Sequence, residues 1–177
     1  HPNGTNNFFS NSSEASSSYH LTSIVNIWGW ATWARAWNNY DLQMKSWNTQ
    51  DKLSFLKHWC TTKQQLRDTS AMFDLHCENT DPWTWDYQWV YTCWSNHGLS
   101  ILPSKNLVQN LGMGPQGTHT KFEKQQGPYP ASLQELKFPL VQPIKKRDFR
   151  FENDYYKNTR IHFLNKIKTF IKKILNI

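Results

Sequence analysis

The sequence predicts an α/β domain, mostly helical with short strands. Three observations carry this. Apolar residues recur at helical spacing in three stretches, near 28–40, 50–66 and 82–97. Strand candidates are short runs at 21–27 and within 99–110. The alternating strands and helices that build a parallel βαβ sheet are absent. The 177 residues suit one domain with a sizeable core. Because the chain opens on His1 and has no apolar leader-like stretch, it is expected to be a piece of a longer product.

The elements follow in order. Residues 1–19 are rich in Asn and Ser and read as a loop, and the two Asn-x-Ser/Thr matches at Asn3 and Asn11 follow from that composition. Leu21 to Ile27 suits a short strand. From Trp28, residues Trp30, Trp33 and Trp37 recur at helical spacing, and Tyr40-Asp41 closes the segment. Thr49 is a candidate cap for a helix from Gln50 to about Leu66, with Leu53, Leu56, Trp59 and Cys60 on one face. Asp81-Pro82 supplies an N-cap and a proline in the first turn, and Gly98 a stop, for a helix over Pro82 to His97. Extended pieces are expected around Pro103.

All ten tryptophans fall between Trp28 and Trp94, most of them in the phrases 28–37 and 83–89. Leu, Ile and Val fill a core without the bulk of indole or its N–H, which needs a partner when buried. The density therefore predicts flat apolar walls with polar edges, suited to sugar rings or nucleobases. Charge argues against nucleic acid. The net charge of +7 is carried by residues 145–177, with ten basic and three acidic side chains, while the Trp-rich body is neutral. Cys60, Cys77 and Cys93 include no CxxC pair, so neither a disulfide framework nor a zinc ribbon is indicated. A reducing, cytoplasmic setting is expected.

The helix over 82–97 is apolar nearly all round and should be buried. Asp86 lies in its first turns. An unpaired buried carboxylate is costly, so Asp86 must pair with a cation or face a cleft, where desolvation would make it a better base near neutrality. Otherwise it favours the helix N-terminus electrostatically or bonds an indole N–H. Gly112 to Gly117 matches G-x-G-x-x-G, but Pro115 and the following Thr-His-Thr exclude the helix that a dinucleotide fingerprint requires. A flexible loop bringing His119 to a ligand fits better, although most lone loop histidines are simply solvated.

Taken in order, Trp28-Gly29-Trp30-Ala31-Thr32-Trp33 with Arg35-Ala36-Trp37 and Tyr40-Asp41, then Trp85-Asp86-Tyr87-Gln88-Trp89, then Asn106-Leu107-Val108 through Gly112-Met113-Gly114 to Thr118-His119-Thr120, form a pattern. It resembles the C-terminal half of bacterial family 2-type sugar-nucleotide glycosyltransferases, also described as nucleotide-diphospho-sugar transferases or haemolytic-protein-like. The likeness spans roughly Asn3 to Asp148. It implies the acceptor-side part of a GT-A fold over residues 1–150, with the N-terminal Rossmann-like half and its Asp-x-Asp missing from this chain. It further implies inverting transfer from a nucleotide-diphospho-sugar to a saccharide or lipid-linked acceptor in cell-surface polysaccharide synthesis. Asp86 would be the catalytic base. Trp28, Trp30, Trp85 and Trp89 would be sugar-stacking walls, with Gln88 also binding substrate. His119 would serve the diphosphate and a divalent metal, Mn or Mg, held mostly by the missing half. The sequence departs from the pattern at Trp83, where an Asp is usual, and at Pro115-Gln116-Gly117, which replaces a more acidic stretch.

Residues 151–177 are read as a basic C-terminal helix. From about Asn158, Ile161, Leu164, Ile167, Ile171, Ile174 and Leu175 share a face, with lysines mostly elsewhere. Such a helix suits peripheral binding at the inner face of a membrane, or packing with its lysines solvated. The rival function is a non-catalytic carbohydrate-binding or membrane-surface interaction domain.

Overall fold

The computed structural model describes residues 17–78, 84–108, 133–144 and 146–157. They form a small α/β arrangement, mostly helical with a two-stranded antiparallel sheet. In chain order the elements are β1 (Tyr19–Thr22), α1 (Ala34–Trp37), α2 (Lys52–Trp59), α3 (Lys63–His76), α4 (Asp86–Ser95) and β2 (Ser100–Pro103). A further helical stretch, α5, covers 149–157. The Ser104 amide donates to the Ser18 carbonyl just beyond the strand ends, which sets the antiparallel register.

The chain divides into two compact units, His20–Leu102 with Ile144–Phe149, and His1–Tyr19 with Pro103–Pro143 and Arg150–Ile177. In the second, Val141 pairs through its backbone with Ser18, and the Asn106 carbonyl accepts from the Gln134 amide. The Phe138–Pro139 peptide is cis. The predicted tail from Asn158 lies outside the described residues.

The first unit is built around aromatic rings. Met44, Trp47, Leu56, Trp59, Phe73, Tyr91 and Trp94 form its core, drawn from α2, α3, α4 and the segment before α2. Trp59 stacks on Trp94 with centroids 5.5 Å apart, and Trp47 meets Phe73 edge-on at 5.2 Å. Three tryptophans are thus core residues rather than binding walls. Two of them satisfy their N–H internally, Trp47 on Asp74 Oδ1 at 2.8 Å and Trp94 on the Ser23 carbonyl at 2.9 Å, which removes the objection to burying indole. Arg147 ties the segment before α5 to this unit. It donates to the His58 and Trp59 carbonyls and lies over the Trp59 ring.

Several predicted boundaries move. The strand expected at 21–27 is β1, which starts earlier and ends at Thr22. The helix expected from Trp28 reduces to the single turn of α1, because Gly29 takes a left-handed φ of 58° and Trp33 is extended. The single helix expected over 50–66 is two. Asp51, not Thr49, caps α2 by accepting from the Ser54 amide, and Cys60 breaks the run in an extended conformation. Thr62 then caps α3 by accepting from the Gln65 amide. On the expected face Leu56 and Trp59 are buried, whereas Leu53 is exposed.

The expected cap at Asp81-Pro82 lies outside the described residues. Within them α4 begins at Asp86, with Trp85 as N-cap. Its stop involves Gly98, although the left-handed residue is His97, at φ 53°. The Gly98 amide donates to the Cys93 carbonyl and the His97 amide to that of Trp94, the paired bonds of a Schellman ending. A Cβ on Gly98 would sit 3.1 Å from the Cys93 carbonyl oxygen, so close approach explains this glycine.

Candidate functional site

The two tryptophan phrases, some fifty residues apart in sequence, meet on one side of α4. Trp85 and Trp89 are four apart and share a helical face. Trp30 lies against both, with centroids 5.4 and 5.7 Å away. Trp37 packs on Trp89 at 5.0 Å and stacks on Tyr40 at 4.7 Å with planes 7° apart. Two polar bonds fasten the earlier phrase to the helix: the Tyr40 hydroxyl donates to the Trp85 carbonyl at 3.3 Å, and the Asp41 amide to Thr92 Oγ1 at 3.3 Å. The outcome is a five-ring platform. Trp89 is its buried floor, while Trp37 and Trp85 stay 40% and 37% exposed, and Trp33 beyond them reaches 60%.

Asp86 borders this platform at the first helical position of α4. It is buried, at 6% exposure. Its carboxylate accepts a hydrogen bond from Thr84 Oγ1 and faces the positive end of the helix dipole. The charge is felt on both sides. Burial, reinforced by Asp86 and then Asp41, pushes the Tyr40 phenol above its ordinary range, and burial with Asp86 does the same to Tyr87.

Of the residues singled out from sequence, Trp30, Trp85, Trp89 and Asp86 come together. Trp28 is half-buried and stands outside the described ring pairs of the platform. Gln88 is wholly buried, and neither of its amide atoms meets a hydrogen-bond partner among the described residues. His119 and the loop carrying it lie outside the described residues, so its expected service to the diphosphate and metal has no geometry here.

Three participants were missed as site residues. Trp37 and Tyr40 were read as helix face and helix end, although their spacing of three already put them side by side. His76 had no signal, because its neighbours lie on another element. Its ring is wholly buried and stacks on Tyr87 at 4.7 Å. Among the described residues no three His, Cys, Asp or Glu side chains stand close enough to hold a metal ion, and no helix is long and apolar enough to cross a membrane.

Compared with known proteins, the chain matches no family model, no curated protein and no solved structure.

Proposed function

We propose that this chain is the acceptor-binding part of a sugar-nucleotide glycosyltransferase and that Asp86 is its general base. The observation that supports it best is the convergence of the 28–41 and 85–89 phrases into one aromatic platform with a buried carboxylate at its border. Exposed indole faces suit the apolar C–H faces of a pyranose, and their polar rims suit its hydroxyl groups. An acceptor laid on Trp37 and Trp85 would present a hydroxyl to Asp86. The carboxylate takes the proton as the oxygen attacks the anomeric carbon of the donor, and the nucleoside diphosphate leaves with the electrons of the broken C–O bond.

The Asp-x-Asp and nucleotide-binding half that such transfer requires are not in this sequence, so turnover belongs to an assembly that includes them. The described residues offer no ligand set for the divalent metal implied by the resemblance. Whether the tail contributes a membrane contact is a separate proposal, tested by deleting residues 158–177 and measuring vesicle binding.

One observation favours the non-catalytic reading. Thr84 and the α4 N-terminus give Asp86 a sufficient structural role. The two readings part on Asp86→Asn. In an enzyme completed with a nucleotide-binding half, this change should lower sugar transfer by about two orders of magnitude or more while saccharide binding persists. Wild-type turnover in Asp86→Asn would leave a binding module. The platform itself is tested on the 177-residue chain by titrating neutral and N-acetylated mono- and disaccharides and following tryptophan fluorescence. Trp37→Ala and Trp85→Ala should each weaken binding roughly tenfold. Absence of binding across the panel would remove the proposal.

A further inference from the structure

His76 ends α3, and its imidazole is wholly buried. The ring lies flat on Tyr87, with centroids 4.7 Å apart and planes 13° from parallel. Tyr87 directly follows Asp86, so the imidazole is clamped against the same first turn of α4 that carries the carboxylate. We propose that His76 is a positioning residue for Asp86, holding that turn in place through Tyr87 and coupled by charge to the carboxylate.

The surroundings are defined. From α4, Tyr87 lies flat on His76 and the charge of Asp86 reaches the imidazole, and Tyr40, from the segment after α1, shares the field of Asp86. Cys77 follows His76, its thiol raised chiefly by burial. Burial holds the imidazole below its ordinary value, and the Asp86 charge opposes that effect. Near neutrality His76 is therefore uncharged and acts by shape. On acidification an imidazolium at this position would favour the ionised form of Asp86 through charge, making it a weaker proton acceptor.

The consequence for turnover rests on the reading of Asp86 as base. The coupling does not, since it is a property of the ligand-free chain and survives or fails independently of any saccharide result. Histidine and carboxylate titrations followed by NMR on the 177-residue chain test it. Asp86→Asn should lower the His76 midpoint, and His76→Phe, which keeps a ring on Tyr87, should raise the Asp86 midpoint. Because one coupling underlies both, the two shifts should match in size and oppose in sign. Should His76→Phe fail to fold, the Asp86→Asn measurement decides alone. An unmoved His76 midpoint in Asp86→Asn would overturn the proposal, because a merely structural histidine would give that result.

Discussion

Cys93 shows how strongly position governs the chemistry of one side chain. Burial within α4 pushes its thiol from an ordinary 9.0 up to about 12. Alkylation requires the thiolate, so Cys93 in the folded chain should stay unmodified by iodoacetamide at pH 8 under conditions that label it fully in urea, as read by peptide mass. Rapid labelling of folded Cys93 would contradict that burial. Residue identity alone was a poor guide for the tryptophans too. Trp47 and Trp85 are the same side chain, yet one is closed off by a bond to Asp74 and the other presents a face to solvent. That difference depends on a carboxylate 27 residues away, which local sequence does not register. Asp86 was legible because a lone carboxylate in an apolar helix is conspicuous in the sequence itself.

At the scale of elements, most types were readable and several boundaries were not. The apolar positions Leu53, Leu56, Trp59 and Cys60 keep helical period up to Leu66, which hides the break at Cys60. The cap signal at Thr62 with Gln65 three residues on was present, and Gln65 Oε1 does reach back to accept from the Thr61 amide at 2.8 Å. Two helices each started by a side-chain N-cap should respond to cap removal. Asp51→Ala and Thr62→Ala are each expected to cost about 1 kcal/mol in urea unfolding, roughly additively because they cap different helices. A change within error for both would mean that packing alone sets these ends. The Gly29 break in the first phrase could not be read from spacing, since Trp30, Trp33 and Trp37 fit a helix whether or not residue 29 takes a left-handed φ.

At the scale of the molecule, the shifted groups define a pH range of stability. His76 is depressed below 6.5, so the unfolded chain binds its proton more readily and stability falls as pH drops below that value. Asp74, lowered chiefly by its bond from Lys52, gives stability that is lost as pH falls below 3.8. In the opposite direction, Cys93 is neutral in the fold and ionises first when unfolded, so stability declines between 9.0 and about 12, with Tyr40 and Tyr87 adding to the loss above 10.0. The urea midpoint should therefore be flat from roughly pH 6.5 to 9 and fall on both sides. His76→Phe should remove the first part of the acid limb, and an unchanged limb would show that other groups carry it. By itself the sequence determined the mostly helical class, the short strands, the neutral Trp-rich body with a basic tail, and the prominence of Asp86, because periodicity, composition and a carboxylate's cost of burial are local properties. Only the tertiary structure decided which tryptophans fill the core, that Trp37 and Tyr40 join the platform, and that His76 lies beside the first turn of α4. Those outcomes depend on which ring meets which across separate elements, and ring packing between distant segments leaves no period in the chain.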